Sequence, residues 1–500
     1  MDVSAILKRK AQAQADGDDL MAAAQTFIEV GDYMQAVNIL GPNGWMDSLV
    51  EVARKLSKAE TKALGQCVHY FRKNGNHTYA AEILAKMGDI THLLQLHIEL
   101  QNWEEAFKIV EMHPEFTGQI YLPYAKWLAL NDRFIEAQEN YKKAGWLDEA
   151  FRLSMTMTRA AVEERRYDDA SHYYWVLAKQ NLDVIPAQVD HAKLEEPHKV
   201  ALKNFKLYKS YAELYYAFHI IQRYIDEPFT SHSPMHLFNA SRFLLNKSQV
   251  QSLPTGISKL YVLYSLSKLC KSLGAYKLAR YAYEKLASCQ VPPDWQDMVD
   301  SGALMIRSKP FLDKDDLLQK CAQCAMPNPL VNPRAGDVCV NCQEPFVRCF
   351  GAFETLPLVR FVPEDGLSEN EAEKLISADP PVEASMSNSP RGGADTLTLE
   401  TDNEVFERQL SSFSRSGGSE YEPIKATRSM LLSMQKHEVF VRKWGKRCLP
   451  LEYYRLMRSE VYVKQCKECT TFFGEEEWLC QVLKHGECSF CKAKCMDLNQ

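Results

Sequence analysis

The sequence predicts a mainly α-helical protein, a degenerate tetratricopeptide-like αα solenoid followed by two small zinc-binding β modules. Three observations carry this. A phrase in which an aromatic residue precedes alanine by three positions recurs through residues 1 to 300. Two separate sets of paired C-x2-C turns follow. Between those sets lies a stretch rich in Ser, Pro, Gly and acids, with few aromatics.

The helical phrase reads "GDYMQAV" (Tyr33, Ala36), "QNWEEAF" (Trp103, Ala106), "NDRFIEAQENY" (Phe134, Ala137), "ERRYDDA" (Tyr167, Ala170) and "GAYKLARYAY" (Tyr276, Ala279), with looser copies at "GNHTYA", "GWMDSL" and "GWLDEA". Tyr33, Ala36, Val37 and Leu40 fall at i, i+3, i+4 and i+7, one apolar stripe of a helix. A small alanine lets the neighbouring helix approach, and the preceding Gly or Asn-Asp turns the chain. Ala106, Ala137 and Ala170 stand 31 and 33 residues apart, close to the tetratricopeptide period, while other spacings are shorter. A solenoid of this kind exposes long surfaces suited to binding other proteins.

The first cysteine set opens the segment 301–362. "CAQCAMPNPLVNPRAGDVCVNCQEPFVRC" gives Cys321-x2-Cys324, fourteen residues, then Cys339-x2-Cys342. A C-x2-C turn offers two thiolates from one tight bend, so two turns complete a tetrahedral site with no open position, which is a structural zinc and not a catalytic one. Cys349 is left over and reads as a small buried hydrophobe. Residues 363–430 lack periodicity and apolar content and read as a disordered linker, an unmodified spacer being favoured over phosphorylation at its Ser389-Pro.

The last segment, 431–500, carries Cys466-x2-Cys469 and Cys488-x2-Cys491 eighteen residues apart, a second four-cysteine zinc module. Cys480, His485 and Cys495 lie among them, so an incomplete two-zinc RING finger is the alternative. The basic run Arg442, Lys443, Lys446 and Arg447 reads as a solvated face, with an acidic partner or nucleic acid as the functional alternative.

Composition narrows the function. The chain has 500 residues and a net charge of −6, which argues against a phosphate-neutralising nucleic-acid binder. Its first residues are polar and charged, unlike a secretory leader, and no run approaches a membrane span, so it reads as cytosolic. In that compartment clustered cysteines hold metal more often than disulfides, and the sequons at Asn76, Asn239 and Asn246 are chance. No phosphate loop, dinucleotide fingerprint, nucleophile elbow or H-E-x-x-H helix is present. His437-Glu438 lacks its second histidine, Glu475, Glu476 and Glu477 read as solvated surface, and the tyrosine-rich stretch 211–218 as core. The expectation is a non-enzyme.

From the repeats through the first cysteine set and "PLVRFVPEDG" to the terminal "VLKHGECSFC", the chain resembles the C-terminal part of the intraflagellar transport protein 122 family, subunits of ciliary transport complex A. The resemblance implies that the eight paired cysteines, Cys321, Cys324, Cys339, Cys342, Cys466, Cys469, Cys488 and Cys491, are the metal set, with two structural zincs. It also implies a scaffold acting in retrograde transport, cilium assembly and ciliary entry of membrane receptors, bound to other complex A subunits through the solenoid. A vesicle-coat or tethering subunit shares the plan and is the alternative, with a RING-type ubiquitin ligase component further off. Family members carry WD-repeat propellers ahead of the solenoid. Here Val3, Ile6 and Leu7 begin an amphipathic helix with no capping repeat before it, so an artificial, isoform-level or misannotated start is expected.

Overall fold

A single junction, repeated nine times, builds the helical part. In the computed structural model the aromatic residue of each of the five full phrases is the first residue of a helix, and at all nine junctions the residue two positions before the helix start takes a left-handed φ. Gly31 (80°), Gly44, Gly75, Gly88, Gly145 and Gly274 (91°) do this as glycines, while Gln101 (58°), Asp132 (59°) and Arg165 (60°) do it with side chains. The left-handed residue turns its N–H back on the finished helix, as Gly31 does to the carbonyl of Ile28 while Asp32 reaches that of Phe27. Ala36, Ala106, Ala137, Ala170 and Ala279 are all fully buried at the helix crossings, as the phrase requires.

The structure describes residues 3–17, 19–189, 194–227, 229, 232–377, 406, 410, 421 and 423–495. The helices are α1 (Val3–Asp16), α2 (Leu20–Val30), α3 (Tyr33–Leu40), α4 (Met46–Lys55), α5 (Thr61–Lys73), α6 (His77–Met87), α7 (Ile90–Glu99), α8 (Trp103–Met112), α9 (Thr117–Leu130), α10 (Phe134–Lys143), α11 (Leu147–Glu163), α12 (Tyr167–Asp183), α13 (Glu196–Asp226), α14 (Pro234–Val250), α15 (Lys259–Leu273), α16 (Tyr276–Ala287) and α17 (Pro293–Arg307). The chain forms two units, residues 1–153 and 154–500. In the first, helices pack on their sequence neighbours around Leu49, Leu64, Phe71, Leu84 and Leu96. In the second, α13 is the axis. The 211–218 stretch lies on it with Tyr215, Tyr216 and Phe218 buried, and Tyr174 stacks on Tyr215 at 5.1 Å. The helical array runs to Arg307, slightly past the expected boundary at 300.

Among the described residues the β part is three small sheets. β1 (Gln319–Lys320) pairs antiparallel with β2 (Pro327–Asn328) at the first cysteine set. A four-stranded sheet has the order β4-β3-β6-β5, from β3 (Leu358–Pro363), β4 (Ile424–Ala426), β5 (Val439–Arg442) and β6 (Glu452–Leu456). β7 (Val463–Gln465) pairs with β8 (Phe472–Gly474) at the second set.

This sheet corrects the reading of 363–430 as one disordered linker. Both its ends fold. Helix α18 (Glu369–Ser377) starts on a reciprocal capping box, in which Glu371 N–H donates to Ser368 Oγ and Ser368 N–H to the Glu371 carboxylate. It buries Ala372 and Ile376, one turn apart. At the other end β4 joins β3 in parallel register, Phe361 opposite Ile424, and helix α19 (Arg428–Ser433) covers that edge with Met430 and Leu431. Phe406 and Leu410 are buried in the same core. Ser389 lies outside the described residues. The sheet therefore takes strands from the first ribbon segment, the expected linker and the C-terminal segment.

Candidate metal centres

Each cysteine pair sits on the same backbone turn. The first cysteine's N–H donates to the carbonyl five residues on, and its own carbonyl accepts from the N–H four residues on. Cys321 does this with Met326 and Ala325, Cys339 with Glu344 and Gln343, Cys466 with Thr471 and Thr470, and Cys488 with Ala493 and Lys492. The fourth residue is left-handed every time, Ala325 at 56°, Gln343 at 60°, Thr470 at 56° and Lys492 at 55°. That bend aims both thiols of a C-x2-C at one point.

The turns meet in two clusters, Cys321, Cys324, Cys339 and Cys342, and Cys466, Cys469, Cys488 and Cys491, with all sulfurs of a cluster within 4.8 Å of one another. The closest pairs are Cys321–Cys342 at 3.5 Å, Cys324–Cys339 at 3.6 Å, Cys466–Cys491 at 3.7 Å and Cys469–Cys488 at 3.9 Å. A tetrahedron of sulfurs with Zn–S near 2.3 Å has edges of about 3.8 Å, whereas a disulfide would need about 2.05 Å. The donor set therefore fits two structural zinc ions, whose chemistry when bound is to neutralise and clamp four thiolates.

The electrostatics agree. In the first cluster, hydrogen bonds from Cys321 and Cys342 hold the Cys339 thiol well below its usual range. The same bonds work in reverse on its neighbours, lifting Cys321 to about 12 through Cys339 and raising Cys342 through Cys321. In the second, Cys469, Cys488 and Cys491 lower Cys466, while Cys488 is raised by those bonds and Cys469 chiefly by burial. One thiolate forces its neighbours to keep their protons, and a central cation removes that conflict.

Cys480, His485 and Cys495 are not drawn in. Cys480 and His485 are exposed on helix α20 (Glu475–His485), and Cys495 Sγ points to the Ala493 carbonyl at 3.4 Å. Among the described residues only the two four-cysteine groups could hold a metal, which leaves the cross-braced RING arrangement without its second site. Cys349 makes a fifth copy of the turn, with Phe353 and Glu354 as its hydrogen-bond partners and Phe353 left-handed, but Ala352 stands where the second cysteine would be. It is buried beside Leu356, Leu358 and Phe472, and burial pushes its thiol up to about 12.

The second cluster is docked on the helices through its own turns. Glu468, between two of the cysteines, pairs with Lys179 at 2.8 Å. Ser489 accepts from Tyr216 at 3.1 Å, and Phe490 packs against Trp175 at 5.6 Å and Tyr216 at 5.7 Å. Lys492 reaches Asp168 at 3.1 Å. The basic run, expected as a solvated face, is divided: Lys443 and Arg447 are exposed as expected, and only Lys446 and the Arg447 backbone reach the helices. Arg442 pairs with Glu452 at 3.0 Å and lies over Phe472, Lys443 pairs with Glu373 at 3.0 Å, Lys446 donates to the Ile185 carbonyl at 2.6 Å, and Arg447 N–H donates to that of Ala187 at 3.1 Å. Glu477 accepts from the Ala352 N–H at 3.3 Å at the start of α20, and Asn239 and Asn246 are buried, so neither is open to glycosylation.

The first cluster is held differently. Its ribbon is tied to the helices by residues outside the turns, with Asn332 N–H donating to Asn246 at 3.0 Å and Arg242 to Gln319 at 3.2 Å. Arg348 forms a buried bidentate pair with Asp337 and also donates to the Phe353 carbonyl at 2.9 Å.

A helical-repeat protein bearing two closed four-thiolate centres is the class that fold and sites define. The family model described as "IFT122, TPR domain" matches residues 2–261, and the one described as "IFT122, zinc ribbon domain" matches residues 314–359. The chain belongs to the IFT122 family. It is 40% identical over 499 residues to the intraflagellar transport protein 122 homolog of Danio rerio, covering 98% of this chain and 41% of that protein. Against the homolog of Xenopus tropicalis the values are 39% over 502 residues, 98% and 41%, and against that of Homo sapiens 40% over 487 residues, 95% and 38%. The chain thus spans about two fifths of the relatives' length. A circular tandem repeat protein with novel repeat topology overlaps 60% of this chain at 13% identity with a TM-score of 0.17, too low to compare folds.

Proposed function

We propose that this chain is a non-catalytic scaffold segment of an intraflagellar transport complex A subunit, acting in retrograde ciliary transport, cilium assembly and ciliary entry of membrane receptors. The observation that carries it is the family match through both the helical array and the first ribbon. The solenoid supplies the broad surface for the other complex A subunits and for adaptors of membrane-receptor cargo. The eight paired cysteines are the ligands of two structural zincs, and four thiolates per ion leave no position for substrate or water. That is in keeping with a family of transport proteins and not of enzymes. Nucleic acid is no partner, and no described helix is long and apolar enough to cross a membrane. The place of action is the cytoplasm and the cilium, from its base along the axoneme. In parts, the reading divides the chain into a helical solenoid, a zinc ribbon, a connecting segment and a C-terminal zinc module.

The test is affinity purification of the tagged chain from ciliated cells with mass spectrometry of what stays bound. Recovery of the other complex A subunits is expected. Enrichment of vesicle-coat components or of ubiquitin-conjugating enzymes instead would overturn the reading.

A further inference from the structure

A fifth thiol stands beside the second four-thiol centre. After Cys491 the chain folds back as a short antiparallel hairpin. Cys488 N–H donates to the Ala493 carbonyl at 2.9 Å, Glu487 bridges to Lys494, and Cys495 N–H donates to the Gly486 carbonyl at 2.9 Å. Opposed residues of such a pair share a face and alternate residues return to it, so Ala493 and Cys495 lie on the side of Cys488 while Lys494 faces away. Burial follows that register: Lys494 is exposed, whereas Ala493 and Cys495 are half-buried against the core that contains Cys466, Cys469, Cys488 and Cys491. The Cys466 side chain is within hydrogen-bonding reach of the Cys495 thiol. Of these five thiols the four ligands are buried and Cys495 is not.

The first centre is built without such a neighbour. Among the described residues its packing cluster holds its own four cysteines and Phe346. The spare cysteine that follows it in sequence, Cys349, is buried instead beside Leu356, Leu358 and Phe472. The difference matters chemically, because a cysteine oxidised to its sulfenic acid condenses with a thiol placed against it. A disulfide so formed withdraws a thiolate that a zinc site needs.

We propose that Cys495 and Cys466 form a redox site, in which hydrogen peroxide converts the pair to a disulfide and takes one ligand from the second centre. First the Cys495 sulfur attacks one peroxide oxygen: the S–O bond forms, the O–O bond breaks, and the departing hydroxide leaves as water with the thiol proton. Then the Cys466 thiolate attacks the sulfenic sulfur, the S–S bond forms and hydroxide is expelled. The two sulfurs together lose two electrons and the peroxide gains them. Cys466 belongs to the turn that carries Glu468 to Lys179, so the step also loosens one docking contact of the module. The inference rests on the reading that the second set of paired cysteines holds zinc.

The experiment treats the full zinc-loaded chain with hydrogen peroxide, follows released zinc with a chromophoric chelator, and maps disulfides and alkylated cysteines by mass spectrometry. The natural chain should release the zinc of the second centre first and yield a Cys466–Cys495 disulfide that dithiothreitol reverses. Cys495→Ser should keep both zincs before treatment and release that of the second centre roughly tenfold more slowly. Cys480→Ser, which removes the exposed thiol of α20, should behave as the natural chain. Release unchanged by Cys495→Ser, both centres opening at one rate, or a disulfide confined to the four ligands would overturn the proposal. So would loss of a zinc from untreated Cys495→Ser, because the thiol would then be a ligand. Fewer than two zincs on the untreated natural chain would instead overturn the metal reading, and the proposal with it.

Discussion

The two four-thiol centres share backbone, ligand type and sulfur spacing, yet they stand in different surroundings. The first is a satellite: its cysteines pack with Phe346 alone in a small cluster, and Val340 between two of them is exposed. The second is continuous with the main core of its unit, where Cys466, Cys469, Cys488 and Cys491 share a cluster with Tyr215, Phe238 and Leu263 of the helices. The same four-thiolate device therefore does two jobs. One folds a ribbon locally; the other presents residues Glu468, Ser489, Phe490 and Lys492 as the docking face that closes the helical array.

The largest consequence follows from removing metal. Structural zinc contributes on the order of 10 kcal/mol to folding of its site. Replacing Cys466 and Cys469 with Ser should halve bound zinc and also expose α12 to α14 to hydrogen exchange and protease. Replacing Cys321 and Cys324 should halve bound zinc equally but leave protection in residues 154–307 near its original level. Equal loss of protection in the two variants would mean that both centres support the helices alike.

Next in size is the anchor that holds the first ribbon without its metal turns. The Asp337 side chain is almost fully buried, and although burial raises its carboxyl, the Arg348 guanidinium outweighs that and holds it below the ordinary carboxylate range. Asp337→Asn leaves Arg348 and Arg242 buried with no counter-charge, which should cost about 3 to 5 kcal/mol. Denaturant unfolding should show the loss while two zincs per chain are retained in native buffer. Loss of one zinc at the same time would mean that ribbon anchoring and metal retention are one event.

The cysteine pairs were legible because their chemistry is local: a C-x2-C turn states its own purpose within six residues. The helix starts were legible for the same reason, each aromatic marking a first turn and each alanine a crossing. What could not be read was which surfaces meet. Nothing near Trp175 announces Phe490, and nothing in the basic run announces the carbonyls of Ile185 and Ala187, because those partners lie hundreds of residues away and were chosen by packing. The left-handed turns at Gln101 and Arg165 were hidden by the absence of glycine, whereas Asp132 lies in the Asn-Asp pair that reads as a turn. Composition concealed α18 and β4, although the Ser368–Glu371 capping box was there to be found in the letters.

A third test uses pH. His172 on α12 is held neutral to about 4, chiefly by burial and next by the charge of Lys492, with Asp168 and Asp169 opposing. An unfolded chain takes up that proton near 6.5, so the contribution is full above that pH and is lost as pH falls from 6.5 towards 4, at most about 3 kcal/mol. Hydrogen exchange at pH 6.5 and 5.0 should show loosening on α12 beside the second centre and none at the first, and His172→Gln should flatten the difference. Equal loosening at both centres would point to protonation of the thiolates instead.

The smallest effect is also the most discriminating, because it changes one atom group in matched turns. Gln343 and Lys492 hold equivalent left-handed positions, a conformation that costs a side-chain-bearing residue up to about 1 kcal/mol relative to glycine. In the first centre the exchange is pure gain: Gln343→Gly should stabilise the ribbon by a few tenths to 1 kcal/mol, read as slower zinc loss to a chelator. In the second, Lys492 offsets its backbone cost by reaching Asp168, so Lys492→Gly trades relief of the turn against a docking contact. An exposed ion pair contributes about 0 to 1 kcal/mol, and the two terms should nearly cancel or favour the lysine. If Lys492→Gly stabilises its centre as much as Gln343→Gly does, the lysine carries no docking energy, and the second module rests on its other contacts, Tyr216, Phe490, Lys179–Glu468, Lys446 and Arg447 among them.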